Sequence, residues 1–250
     1  MTTKNYIKLA NVKSSIRPIK FNTELYNVYF ASDFHFGHNK EFIYKDRGFN
    51  SIQEHDDAII SRCNSAIIDN GKTNILIYLG DFSLNAEYDY VVSRLKQLTE
   101  IFDQIIYIYG NHESKITQFV ENNSDGKVPF GFKFNNELEY DQVIFCGYMQ
   151  RILFDNRREI ICSHFPLYDT PRFFIGDNNY ILNLCGHCHG TRDSLNFKEP
   201  HHHKIMPVYD CGIENAFWIS DDKFAVIEYN QLRNKVKECP PKPFNNETNS

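Results

Sequence analysis

The sequence predicts an α/β fold in which two β-sheets stack face to face between flanking helices. Three observations point there. Runs of β-branched and aromatic residues recur along most of the chain. In the first half they alternate with two amphipathic helices, and this β-α-β-α-β order reads as parallel crossover units. In the second half they follow one another closely and read as a second sheet, so a two-sheet sandwich flanked by helices satisfies both halves.

The elements follow in order. Residues 27–31 form the first apolar run. A helix starts at Ser51, where Ser51 and Glu54 have the spacing of a capping box. Its apolar positions Ile52, Ile59, Ile60, Cys63 and Ile67 recur at helical spacing, and Asn70-Gly71 ends it. Residues 74–79 are the second strand, and a helix over about 86–102 places Val91, Leu95, Leu98 and Phe102 on one face. Residues 104–109 are the third strand, and a shorter helix is expected over 114–121. Strand-like runs then come at 142–146, 159–162, 180–184, 208–211 and 224–229.

The 250 residues suit one domain, expected over 1–239, with a Pro- and Asn-rich tail over 240–250 expected to be disordered. Apolar content of 42% and charge of 24% are those of a soluble globular chain. A net charge of −5 gives no overall basic field for nucleic acid. Lys4, Lys8, Lys13, Arg17 and Lys20 form a local basic stretch, read as a solvated face. No run approaches the ~18 apolar residues of a membrane span, and the start Met-Thr-Thr-Lys-Asn lacks an apolar signal core. Seven cysteines, with Cys146, Cys162 and Cys185 inside apolar runs, fit buried thiols in a cytoplasmic protein.

The chemistry lies in five short segments: Asp33-Phe34-His35, Gly80-Asp81, Gly110-Asn111-His112-Glu113, Ser163-His164 and Gly186-His187-Cys188-His189. Each sits where an apolar run ends, and strand carboxyl ends are where α/β sites are built. Carboxylate, amide and imidazole together suit a pair of divalent metals acting on phosphate.

These blocks, D-x-H, G-D, G-N-H-E, a lone H and G-H-x-H, stand in the order found in the calcineurin-like metallophosphoesterase superfamily, which this chain resembles over residues 33–189. The run Ser32-Asp33-Phe34-His35-Phe36-Gly37-His38 is similar to a small prokaryotic and phage branch whose first block reads D-x-H-F-G-H. The resemblance implies the four-layer αββα metallo-dependent phosphatase fold and two metal sites. One would use Asp33, His35, Asp81 and His189, and the other Asp81, Asn111, His164 and His187, with Asp81 bridging. In such sites the ions lie roughly 3.5–4 Å apart and share a water or hydroxide that attacks the ester. Mn²⁺ is the expected ion, with Fe, Zn²⁺ and Ni²⁺ also compatible with an N/O site. The resemblance makes His112 the non-ligand histidine that protonates the leaving group. It implies a phosphoesterase, with a phosphodiester of a nucleotide or cyclic nucleotide as the expected substrate. A phosphomonoester and a metal-dependent nuclease are the alternatives within the same chemistry, and a non-catalytic scaffold is the alternative of another class.

Around these blocks, His38 and Asn39 are candidates for the rim of the site, and Arg47, Arg172 and Arg192 are candidate phosphate clamps. Phe34, Phe36, Phe82, Phe165 and Tyr168 are close enough in sequence to stack on a base, although most aromatics are core. Cys185 and Cys188 have C-x-x-C spacing, but no second pair exists to complete a zinc knuckle. His201-His202-His203 are expected in a loop without a catalytic role.

Overall fold

In the computed structural model, Ile7 and residues 18–123, 138–140, 142–155, 158–167, 180–189, 201–203 and 206–238 are described. In chain order the first elements are β1 (Ile19–Phe21), β2 (Tyr26–Ala31), α1 (Glu41–Tyr44), α2 (Ile52–Ser65), β3 (Thr73–Tyr78), α3 (Tyr88–Ile101), β4 (Gln104–Tyr107) and α4 (Ser114–Asn123). Then come β5 (Leu138–Tyr140), β6 (Val143–Phe145), β7 (Met149–Phe154), β8 (Arg158–Ser163), β9 (Tyr180–Cys185), β10 (His201–His203) and β11 (Met206–Asp210). The last are α5 (Ile213–Ser220), β12 (Ile227–Glu228) and α6 (Tyr229–Glu238).

Two six-stranded sheets result, ordered β12-β2-β3-β4-β6-β5 and β1-β7-β8-β9-β11-β10. In the first, β2, β3, β4 and β6 run parallel, and the short strands β12 and β5 close its edges in antiparallel pairs. Parallel strands covered on both faces require unbroken apolar runs. β3 meets that requirement from Ile75 to Tyr78, and all six of its residues, with Thr73 and Asn74 at its start, are buried. In the second sheet β8, β9 and β11 are mutually parallel.

Alternate residues of each strand face different cores. Val28, Phe30, Ile75, Ile77 and Ile106 of the first sheet meet Ile152, Ile160, Cys162 and Leu184 of the second, and this interface is the inner core. Tyr29, Leu76, Tyr78, Ile105 and Tyr107 point the other way, onto Ile59 and Cys63 of α2, Val91, Leu95 and Leu98 of α3, and Ile116 and Phe119 of α4. The two-sheet sandwich flanked by helices is therefore formed. Its parallel strands bring their carboxyl ends together at one edge of both sheets. No helix among the described residues is long and apolar enough to cross a membrane.

The differences from the sequence reading are local. α2 stops at Ser65, earlier than Asn70-Gly71, and the following turn is tied to the sheet by Ile68 N–H donating to Tyr29 Oη. Ser51 caps α2 by accepting from Glu54 N–H, but Glu54 accepts from Asn50 N–H rather than from Ser51, so only half of the capping box forms. The run at 224–229 yields a two-residue strand and then a helix. Residues 201–203, expected in a loop, form an edge strand on β11 because they pair antiparallel with residues 206–208. The expected tail over 240–250 and the basic residues Lys4, Lys8, Lys13 and Arg17 lie outside the described residues.

Candidate metal centre

The chain turns sharply at the strand tips. Asp33, His35, Asp81, His187 and His189 all have positive φ, between 51° and 70°. Such a conformation costs a residue without glycine's freedom of order 1–3 kcal/mol, and it persists only where the surroundings impose it. The strand ladder runs on into these turns: Asp33 N–H donates to Gly80 O at 3.0 Å, and Gly186 N–H donates to His164 O at 2.9 Å. Two glycines allow the tips to touch. A Cβ on Gly110 would overlap Asp81 Oδ1, and one on Gly186 would overlap Ser32 Oγ and Asp33 Oδ2.

Two groups of donor atoms form there. Asp33, His35 and His189 make the first and Asp81, His164 and His187 the second, with the donor atoms inside each group within 4.8 Å of one another. In the first group His35 Nε2 and His189 Nε2 face each other at 3.1 Å, and His189 Nε2 is 3.9 Å from Asp33 Oδ1. In the second, His164 Nε2 lies 2.9 Å from Asn111 Oδ1 and 3.4 Å from Asp81 Oδ1. Asp81 belongs to both, since its Oδ2 lies 4.0 Å from His35 Nε2. Backbone N–H groups of Asn111 and His112 each donate to Asp81 Oδ1 at 2.9 Å and fix the carboxylate.

These residues fit cations. His164 Nδ1 donates to Leu79 O at 2.8 Å, which leaves an Nε2 lone pair aimed at two oxygens that only accept. A positive charge resolves that conflict. Burial lowers the His164 pKa, but Asp81 and Asp33 more than reverse this and raise it to about 9, so the surroundings favour positive charge there. His189 repeats the arrangement, with Nδ1 donating to Glu214 Oε1 at 3.2 Å and Nε2 turned toward Asp33 and His35. Donating through the far nitrogen is how metal-ligating imidazoles are held.

Behind the first group lies a buried polar chain that the sequence reading did not single out. Arg47 donates from Nε and Nη2 to Glu214 Oε1 at 2.9 and 2.7 Å. It also donates to Asp33 O and Phe34 O, and from Nη1 to His55 Nε2 at 2.9 Å. His55 Nδ1 in turn donates to Asp56 Oδ1 at 2.6 Å. His55 is therefore neutral, since one nitrogen accepts while the other donates. Arg47 was expected to clamp phosphate, but its side chain is only 3% exposed and is spent on the ion pair to Glu214 and on the Asp33 loop. It positions ligands from behind. The sequence did hold one signal: His55 and Asp56 occupy the apolar stripe of α2 between Ile52 and Ile59, where a solvated polar residue does not belong.

His112 stands at the open face, 39% exposed, with Nε2 4.0 Å from Asp81 Oδ2. Glu113 lies beneath it, accepting from Asp81 N–H and Gly110 N–H through Oε1 and from Tyr107 Oη through Oε2. Burial raises the Glu113 carboxyl to about 7 despite those donors. His38 is buried, with its ring 5.6 Å from that of His35, whereas Asn39 points to solvent. Phe34, Phe36 and Phe82 are fully buried and cannot receive a base. Phe165 is exposed, with its ring 4.7 Å from that of His187. Arg172, Arg192 and Tyr168 lie outside the described residues.

Comparison with known proteins gives the same direction. The family described as calcineurin-like phosphoesterase matches residues 26–205. An uncharacterized protein of Methanocaldococcus jannaschii is 29% identical over 87 residues, which is 34% of this chain and 46% of that protein, so the match spans about half of that relative's length. A protein of unknown function from Aquifex aeolicus, known as a crystal structure, superposes with a TM-score of 0.54 at 18% identity, covering 84% of this chain and 98% of that one. It shares the fold. A phosphopantetheinyl hydrolase from Mycobacterium tuberculosis is a weaker likeness, with a TM-score of 0.30 and 18% identity over 58% of this chain and 44% of that one.

Proposed function

Because this chain belongs to the calcineurin-like phosphoesterase family, we propose that it is a dinuclear-metal hydrolase of phosphate esters whose substrate is a phosphodiester of nucleotide type. The observation that carries the reading is the Asp81 carboxylate, which presents Oδ1 to His164 and Oδ2 to His35 and so joins two donor groups. Two divalent ions, Mn²⁺ being the expected one, would there polarise the phosphoryl oxygens and make a water nucleophilic near neutral pH.

The residues themselves do the rest. Asp33, His35 and His189 hold one side, while Asn111, His164 and His187 hold the other. The set carries only two carboxylates, because Asn111 supplies a neutral oxygen where a third would stand. Two divalent ions therefore leave the site net positive, as an anionic ester requires. The backbone donors on Asp81 and the Leu79 carbonyl on His164 keep the donors in place, so little reorganisation accompanies binding. His112, at the open face and tied to no other side chain at hydrogen-bond distance among the described contacts, would give a proton to the departing oxygen, and its exposure supports that role.

A net charge of −5 favours a small substrate over a long nucleic-acid track. The exposed Phe165 ring beside His187 suits a planar group next to the phosphate. The test is metal content together with hydrolysis of bis(p-nitrophenyl) phosphate and p-nitrophenyl phosphate by the Mn²⁺-loaded protein. Turnover of the diester supports the phosphodiesterase part of the reading, and its nucleotide part needs a nucleotide substrate. Turnover of the monoester alone removes the diester part, and firm metal binding with no turnover of either removes the enzyme.

A further inference from the structure

Among the described residues, five large apolar side chains are exposed: Leu25 at 44%, Phe42 at 62%, Ile68 at 42%, Tyr148 at 39% and Phe165 at 43%. They divide by type. The two aliphatic ones, Leu25 and Ile68, precede β2 and β3, at the end of the sheet away from the donor groups. The three aromatic ones all lie at the donor end. Tyr148 packs on Tyr109, two residues before Asn111, with ring centroids 5.9 Å apart.

Phe165 and Phe42 flank different donor groups. The Phe165 ring lies edge-on to those of His164 and His187, at 5.0 and 4.7 Å, and both histidines belong to the second group. The Phe42 ring meets His38 edge-on at 5.7 Å, and His38 lies 5.6 Å from His35 of the first group. In each case a histidine ring contacts the phenylalanine while much of that residue stays exposed to water. Holding an apolar ring in solvent is unfavourable unless something covers it in use. A phosphate held between the two groups has two ester substituents; Phe165 touches the second group directly, and Phe42 adjoins the first through His38.

We propose that Phe165 and Phe42 are two stacking platforms, one for each base flanking the scissile phosphate, so that the substrate is a two-base phosphodiester, such as a dinucleoside monophosphate or the end of a short oligonucleotide, rather than a cyclic mononucleotide. This rests on the phosphodiesterase reading above. In the reaction, water oxygen bonds to phosphorus as the ester P–O bond breaks. The departing oxygen takes a proton from His112, which the attacking water replaces, leaving one nucleotide and one nucleoside. Base–aromatic stacking is tolerant of sequence, so the platforms set the number of bases and not their identity.

The test uses the Mn²⁺-loaded full chain with ApA and cyclic AMP as substrates, and AMP and ribose 5-phosphate as inhibitors of bis(p-nitrophenyl) phosphate hydrolysis. AMP should inhibit more strongly than ribose 5-phosphate, and ApA should have a lower KM than cyclic AMP. Phe165→Ala and Phe42→Ala should each raise the KM for ApA roughly ten-fold, with a smaller effect on kcat and an unaltered metal content. Phe165→Tyr and Phe42→Tyr should restore it. An unchanged KM in both alanine variants overturns the proposal, and a rise in only one overturns its two-base form. If the wild type hydrolyses the diester but binds AMP no better than ribose 5-phosphate, stacking fails while the phosphodiesterase reading stands. If it hydrolyses no ester, the phosphodiesterase reading fails as well.

Discussion

Asp81 is the single residue on which the centre turns. Asp81→Asn would keep its shape and its backbone bonds but remove the charge that faces both donor groups, whereas His112→Ala should leave metal content intact and lower kcat by roughly 10²–10⁴-fold. Metal analysis beside kinetics checks the division, and loss of metal in the His112 variant would place that residue among the ligands. Glu214 acts through His189. Glu214→Gln should weaken binding at one of the two sites by about 10–100-fold while the other is retained, as read by calorimetric Mn²⁺ titration. His55 supplies a pH effect remote from the ligands. Burial holds its pKa below 6.5, with Arg47 adding to the effect and the Asp56 bond opposing it. The unfolded chain then binds the proton more readily than the folded one, and stability is lost as pH falls through about 6.5. Wild type carries this loss and His55→Gln does not, so the difference in their urea-unfolding free energies should narrow from about pH 8 to about 5.5, whereas a constant difference would mean that His55 does not titrate. The ligand types were legible in the sequence because five such blocks follow apolar runs in one order, although Asp or Asn after any single strand is an ordinary turn residue. Glu214 was not, and Arg47 was read as a phosphate clamp, because their ion pair joins residues 167 positions apart.

At the scale of elements, strand existence was easy to read and strand ends were not. β3 and β4 end at Tyr78 and Tyr107, although Leu79 N–H and Ile108 N–H still donate to Ala31 O and Tyr78 O on the way into the turns that carry Asp81 and Asn111. β7 was missed because polar Gln150 stands on the buried face while apolar Met149 and Leu153 stand on the partly exposed one, so residues 149–154 do not alternate in hydropathy as a half-covered strand should. The positive φ values at the ligands leave no trace in composition at all. Two substitutions separate scaffold from site. Ser51→Ala removes the α2 cap and should cost about 1 kcal/mol in unfolding free energy without loss of metal. Gly186→Ala places a methyl group against Ser32 and Asp33 and should lower metal affinity more than its effect on stability would suggest. Equal losses of metal in the two variants would mean that the strand tips do not position the donors.

For the whole molecule, the two sheets explain why ligands spread over residues 33–189 come together. Four parallel strands of one sheet and three of the other end at the same edge, and only there do Asp33, Asp81, Asn111, His164 and His187 meet. The order of strands and helices was enough to predict two sheets, since parallel crossovers and successive strands obey different connection rules. Which faces of the two sheets meet was not, because it depends on contacts between strands far apart in sequence, such as Phe30 of β2 with Phe154 of β7. The most direct measurement is metal stoichiometry and diester hydrolysis in wild type and Asp81→Asn, side by side. Wild type should hold two Mn²⁺ per chain and turn over bis(p-nitrophenyl) phosphate, and the variant should lose at least one ion together with about 10³-fold or more of the turnover. Full metal content and undiminished turnover in Asp81→Asn would contradict the bridging role.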